Sequence, residues 1–325
     1  MTRSPSGQRS ARVVVLTCGL ACALASLALS TCSAPSSEKA AAAAGRTYDR
    51  SMKFEGQDRS YRVHVPKTYD KRKPVPLVLS FHGRAGTGKA MEKLTNFDAL
   101  SDEKGFIVVY PDGLYRSWNA GIGSGPSEGR DVNDVGFASA LVTKLSREFS
   151  IDKQRVYANG ISNGGIFTQR LACQLSDKIA AIATVAGPMG SRIAPACRPS
   201  RPVPVLEMHG TADPIVRMDG TFVQGPGKTL SVEETIAGWV ERDGCNPTPV
   251  VTDLGDGVTS EVYDSCKDGA EVAFYRIEGG GHTWPGGWQY LPEPLVGKTN
   301  RHIDASRIIW DFFARHWLDQ ATGAG

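Results

Sequence analysis

Residues 155–167 constrain the fold more than any other part of the chain. A β-prone run, Arg155-Val156-Tyr157-Ala158-Asn159, passes directly into Gly160-Ile161-Ser162-Asn163-Gly164 and then into Gly165-Ile166-Phe167. This is a G-x-S-x-G elbow between a strand and a helix. The serine sits on a sharp turn in strained φ/ψ, and only small flanking residues let strand and helix come so close. With 36 glycines in the chain, such spacing also arises by chance. The elbow therefore gains weight only if a base, an acid and oxyanion donors follow in the right chain order.

Strand and helix patterns alternate on both sides of it. Residues 46–54 and 60–65 read as an opening hairpin around the Gly56-Gln57-Asp58 turn. Residues 75–81 form an apolar run of buried-strand type that ends in a glycine-rich loop, 82–88, before a helix starting at Ala90. A strand at 106–110 closes on Pro111-Asp112-Gly113, and the Gly/Ser/Pro-rich segment 121–130 is a loop. Helices are predicted at 134–149, at 231–242 with Ser231 as N-cap, and at 304–317; strands at 179–186, 203–209 and 272–277. This order predicts an α/β fold with a mainly parallel central sheet, helices on both faces and one domain. In such sheets functional residues lie beyond the carboxyl ends of the strands, here after Phe81, Asn159 and Met208.

The first residues set the compartment. Arg3, Arg9 and Arg12 precede an apolar stretch from Val13 to Ala28, so 1–32 reads as an export signal, followed by an Ala/Ser-rich linker at 33–45 and a catalytic domain at 46–325. The apolar stretch is short for a membrane span. Leu29-Ser30-Thr31-Cys32 resembles a bacterial lipobox, with Thr where Gly or Ala is usual, leaving a lipoprotein anchored through Cys32 and a freely secreted protein both open. The chain carries 37 Lys and Arg against 34 Asp and Glu, and the surplus of three is the three leader arginines. A balanced mature chain offers no basic footprint for nucleic acid. Four cysteines lie beyond the leader, Cys173, Cys197, Cys245 and Cys266. In an exported chain an even number favours disulfides, and the order along the chain suggests Cys173 with Cys197 and Cys245 with Cys266. Metal binding is the alternative, weakened by the absence of Cys-x-x-Cys or clustered His.

A hydroxyl needs a base to become a nucleophile. Of six histidines, His64, His302 and His316 read as surface or packing residues, while His82 and His209 each precede a Gly at a strand end and read as loop supports. His282 stands apart, between Gly279-Gly280-Gly281 and Thr283-Trp284-Pro285-Gly286-Gly287, directly after a predicted strand. The acid falls between Ser and His in this fold's chain order. Asp213, in His209-Gly210-Thr211-Ala212-Asp213-Pro214, fits better than Asp219, farther into the loop, or Glu207, inside the strand. The oxyanion donors are expected to be the amides of Asn163 and of Arg84, with Gly83 as the alternative to Arg84. Trp118, Trp284, Trp288 and Tyr290 fall in loops, and the three Trp are candidate substrate contacts. No metal or organic cofactor is expected.

Together, Leu79-Ser80-Phe81-His82-Gly83, Tyr110-Pro111-Asp112-Gly113 with Ser117-Trp118-Asn119, the 160–165 elbow, His209-Gly210-Thr211-Ala212-Asp213 and Gly280-Gly281-His282-Thr283-Trp284-Pro285-Gly286 resemble the poly(3-hydroxybutyrate) depolymerase and feruloyl esterase family of α/β-hydrolases, akin to carbohydrate esterase family 1. The likeness runs from about Tyr48 to Trp317. It implies an exported serine esterase with Ser162, Asp213 and His282 as triad. The implied substrates are feruloyl or acetyl esters of polysaccharide, or short hydroxyalkanoate oligomers. Many relatives carry Cys where Arg84 stands. Extracellular polymer depolymerases add a linker and a polymer-binding module, which this sequence does not contain, so a soluble ester is expected over crystalline polyester. The rival readings are an acyltransferase or peptidase on the same triad, and a cell-surface binding protein without catalysis.

Overall fold

The structure, a computed structural model, describes residues 45–222 and 226–318. The leader, Cys32 and the linker up to residue 44 lie outside them.

The elements in chain order are β1 (Arg46–Phe54), β2 (Gln57–Val65), β3 (Val75–Phe81), α1 (Gly88–Thr95), α2 (Phe97–Lys104), β4 (Ile107–Pro111), α3 (Asp134–Glu148), β5 (Ile151–Ile161), α4 (Asn163–Gln174), β6 (Ala181–Val185), β7 (Val205–Gly210), α5 (Val232–Asp243), β8 (Val250–Gly255), β9 (Val258–Tyr263), β10 (Val272–Ile277), α6 (Glu293–Val296) and α7 (Ala305–Phe313). All ten strands described form one sheet, ordered β1-β2-β4-β3-β5-β6-β7-β10-β9-β8. The strands from β4 to β10 in this order run parallel to one another, and the hairpins β1–β2 and β8–β9 close the two edges, pairing antiparallel with β4 and β10 through β2 and β9.

Successive side chains of a strand point to opposite faces, and both faces of the central strands are covered. Leu77 and Leu79 of β3 join one core with Phe137 of α3, Phe167 of α4 and Trp239 of α5. Val78, between them, joins the other with Met91 of α1, Phe97 of α2 and Phe312 of α7. The expected architecture of one α/β-hydrolase domain with helices on both faces is therefore present.

Three features have no counterpart in the sequence pattern, the four-residue α6 among them. Helix α2 follows α1 after a single left-handed residue, Asn96, so the two read as one irregular stretch. The β8–β9 hairpin carries no clear strand pattern because β8 is a mostly exposed edge strand without alternation. Its signal was nevertheless present: Asp256-Gly257, both at positive φ, lies between Val-rich runs, the usual chemistry of a tight hairpin turn. The expected disulfides form, Cys173–Cys197 from α4 to the loop after β6 and Cys245–Cys266 from the end of α5 to the end of β9.

Candidate active site

The carboxyl ends of β3, β5, β7 and β10 deliver four loops to one edge of the sheet. β5 ends at Ser162, which sits at φ 57°, ψ −128° just before α4. A non-glycine residue in this region is strained and persists only where its surroundings impose it. The neighbouring glycines show what imposes it. A Cβ on Gly164 would lie 2.2 Å from the Phe81 carbonyl oxygen, and one on Gly160 would lie 2.5 Å from Gly164 itself. The turn is locked from the sheet by Ser162 N donating to Val185 O at 2.9 Å.

Asn163 opens α4 with its side chain engaged elsewhere: Oδ1 accepts from Trp118 N at 2.7 Å and Nδ2 donates to Trp118 O at 3.1 Å. Its backbone amide belongs to the first turn of α4, where N–H groups lack helical partners. Gly83 presses against the serine so closely that a Cβ there would be 3.3 Å from Ser162 Cβ. Gly83 and Arg84 line the same cavity as Ser162. His82 anchors that loop, its Nδ1 donating to Gly83 O at 2.7 Å and its Nε2 accepting from Gly113 N at 3.0 Å. Burial depresses its pKa, which fits this neutral, supporting role.

His282 comes from the β10 loop, and its Nδ1 lies 2.7 Å from Asp213 Oδ2. The two loops meet because β7 ends in glycine: a Cβ on Gly210 would lie 2.2 Å from Gly280 O. Asp213 Oδ1 accepts from Ile215 N at 2.7 Å and Val216 N at 2.9 Å. Burial alone would raise the Asp213 pKa. The charge and hydrogen bond of His282, with the charge of His209 and the Ile215 amide, outweigh it and hold the carboxyl below its usual range. An ionised Asp213 fixes the proton on His282 Nδ1 and leaves Nε2 as an acceptor. Asp219, by contrast, is exposed and accepts from Thr221 N and Oγ1 in its own turn.

Behind Asp213 lies a layer that the sequence did not disclose. His209 is fully buried, with Nδ1 3.3 Å from Glu207 Oε1 and Nε2 2.9 Å from Val216 O and 3.7 Å from Asp213 Oδ2. Both ring nitrogens face acceptors. Glu207 also receives donors from Thr184 Oγ1, Gln169 Nε2 and Gly187 N. A His209 ring that donates from both nitrogens is an imidazolium. Burial opposes that charge, but the hydrogen bond and charge of Glu207, then Asp213 and the Val216 carbonyl, raise its pKa overall. The loop support expected of His209 is real, through Val216. It also places a cation against the oxygen that holds His282.

Ser162 and His282 line one cavity of about 260 Å³, with Arg84, Met91, Leu94, Trp288 and Tyr290 among its walls. Tyr290 Oη donates to His282 O at 2.8 Å, tying the wall to the histidine loop. Of the three candidate tryptophans, only Trp288 lines this cavity. Trp118 is 1% exposed, donates its indole N–H to His82 O and stacks on Phe167, bracing the elbow from beneath. Trp284 is equally buried and donates to Ser306 Oγ. The expectation that these two touch substrate is corrected accordingly: loop position in sequence did not mean exposure. The α1 contribution, Met91 and Leu94, had no chemical signature to mark it. A larger groove of about 650 Å³ lies between α5 and the β9–β10 pair. Arg276 there pairs with both Glu233 and Glu261, Glu241 is a further acid in the lining, and Cys245 is held in a disulfide.

An elbow serine facing a His–Asp pair at the carboxyl edge of this sheet defines the class: an α/β-hydrolase. The family model described as esterase PHB depolymerase matches residues 59–222. NocK of Nocardia uniformis subsp. tsuyamanensis, provisionally named as an esterase, is 31% identical over 293 residues, covering 85% of each chain. Feruloyl esterase B of Piromyces equi is 29% identical over 244 residues, and the match covers 71% of this chain but 44% of that longer relative. Among solved structures, the CE1 ferulic acid esterase of Anaeromyces mucronatus aligns with a TM-score of 0.53 at 17% identity, over 85% of this chain and 90% of that one, a likeness of fold. The chain belongs to the esterase PHB depolymerase family and is a carboxylic ester hydrolase.

Proposed function

We propose that this chain is an exported serine esterase working through an acyl-enzyme. The observation that carries the reading is a strained serine at a helix N-terminus that shares a cavity with a histidine held by a buried, ionised aspartate. Ser162 Oγ bonds to the ester carbonyl carbon as His282 Nε2 takes its proton. The carbonyl electron pair moves onto oxygen, where the Asn163 and Arg84 amides donate to it. His282 returns the proton to the departing alcohol as the C–O bond breaks. Water then repeats the sequence on the acyl-enzyme and releases the acid. Asp213 holds the tautomer and stabilises the imidazolium. A positioned base is worth roughly 100- to 10,000-fold in rate, and each oxyanion donor about 3–4 kcal/mol.

Acceptable substrates in this reading are feruloyl or acetyl esters of polysaccharide and short hydroxyalkanoate oligomers. Export through residues 1–32 is supported by the leader's charge pattern and by two disulfides, which persist in oxidising compartments. Ser162→Ala should abolish hydrolysis of 4-nitrophenyl acetate and labelling by an organophosphate while leaving thermal unfolding unchanged. Turnover persisting in that variant would remove Ser162 from the mechanism.

A further inference from the structure

The walls of the 260 Å³ cavity are unevenly equipped. Ala90, Met91, Leu94, Ile161, Ile215, Leu291 and Val296 offer only apolar surface. The polar groups are mostly spent: both His82 ring nitrogens are bonded within the scaffold, and Tyr290 Oη donates to His282 O. Ser162 and His282 are committed to the chemistry proposed above. What remains is the Arg84 guanidinium, which is exposed and makes no hydrogen bond or ion pair among the described residues. No Asp or Glu lines the cavity with it. Lys93 Nζ sits 4.1 Å from the centroid of the ring of Trp288, a lining residue, adding a second positive charge beside the cavity.

A guanidinium is a fork of donors that matches a carboxylate in a bidentate way. An apolar hollow with one unspent guanidinium therefore complements an ester whose acid or alcohol part is short, apolar and ends in a carboxylate. Feruloyl and acetyl esters of neutral sugars present nothing for Arg84 to pair with. A hydroxyalkanoate oligomer ends in a free carboxylate close to its last ester bond. We propose that the Arg84 side chain selects esters that bear a carboxylate close to the scissile bond. This rests on the serine esterase reading.

The test compares 3-(butanoyloxy)butanoate with 3-(butanoyloxy)butanamide, which has nearly the same shape and no charge, by the rate of butanoate release. Wild-type kcat/KM should favour the carboxylate about two- to fivefold, mainly through KM, as expected for a charge-assisted pair open to solvent. The preference should shrink in 0.5 M NaCl, where exposed charges are screened. Arg84→Gln should bring the ratio to about one, and Arg84→Lys should keep part of it. Taking the ratio within each variant cancels any effect on the backbone amide. If wild type hydrolyses both compounds equally, or Arg84→Gln keeps the preference, the selection by Arg84 is wrong while the esterase stands. If wild type hydrolyses neither of them nor 4-nitrophenyl acetate, the esterase reading falls and this inference with it.

Discussion

Two buried aspartates, Asp213 in the loop beyond β7 and Asp243 at the end of α5, have the same residue type and nearly the same burial, yet opposite electrostatic fates. Asp213 is 5% exposed and accepts three hydrogen bonds, two from backbone amides and one from His282. Its pKa lies below the usual carboxylate range. Asp243 is fully buried and accepts from Val203 N at 3.0 Å, while its Oδ2 has no hydrogen-bond partner among the described residues. Burial pushes its pKa up to about 7, against the Val203 amide and the more distant charges of Arg201 and Arg242. Burial disfavours the charged form in both places, so what separates them is the number and kind of partners. The matched carboxylate is ready to hold an imidazole; the short-changed one merely titrates near neutrality.

The largest effect that sharpens the contrast is expected from Asp213→Asn. The change removes the charge that stabilises an imidazolium and turns an N–H toward His282 Nδ1, favouring the wrong tautomer. Loss of kcat by about 1,000- to 10,000-fold is expected, read from steady-state hydrolysis of 4-nitrophenyl acetate. Asp219→Asn, which alters only an exposed turn, should stay within about twofold. Equal losses in the two variants would break the assignment of Asp213. The folded-state pKa of Asp213 is depressed, so its contribution to stability is complete above the ordinary carboxylate range and is lost as pH falls through the lower folded value.

A smaller effect is expected at His209. Its ring lies between Glu207 and Asp213, and Asp213 Oδ2 is shared between His209 Nε2 at 3.7 Å and His282 Nδ1 at 2.7 Å. His209→Gln keeps one donor but cannot supply a cation. His209 hydrogen-bonds Glu207 and Val216 and reaches Asp213 only through space, at 3.7 Å, so a loss of about tenfold in kcat/KM is expected, roughly 1.4 kcal/mol. The split between kcat and stability distinguishes positioning from packing. A loss confined to kcat, with KM and Tm near the wild-type values, is expected. A lowered Tm with wild-type kcat in the folded enzyme would make His209 a packing residue only.

Much of this arrangement was legible in the sequence where chain order and backbone chemistry carry the signal. The elbow demands Gly160 and Gly164, and both prove to be points of backbone contact. The order Ser162, Asp213, His282 follows from the order of the strands. Asp213 was distinguishable from Asp219 because it falls at a strand end. What could not be read is what depends on the third dimension alone. Trp118 and Trp284 sit in loops yet are buried, because each loop folds back over the sheet and spends the indole N–H inside. The Glu207–His209 pair looked like a strand residue and a loop support, and only their distance from Asp213 joins them to the site. The apolar wall from α1 carries no reactive group at all. Asp243 resembled any acid near a helix end.

The weakest expected effect is the one that inverts the comparison. Asp243 has a folded-state pKa of about 7, against an ordinary value of 3.8. Below pH 3.8 the side chain is protonated in both folded and unfolded chains and costs nothing. Between there and pH 7 the unfolded chain ionises while the folded one does not, so stability falls as pH rises. Above pH 7 the cost is complete, on the order of 4 kcal/mol at most from the difference in pKa. Asp243→Asn removes the charge and retains an oxygen for the Val203 amide, although the new amide nitrogen gains no evident acceptor. A net gain of about 1–2 kcal/mol at pH 8 is therefore expected, a rise of a few degrees in Tm that shrinks toward pH 4. Activity should stay within about twofold, since Asp243 does not line the cavity. A variant less stable than the wild type at pH 8 would mean that the ionised carboxylate is well matched by its surroundings, and the contrast with Asp213 would fail.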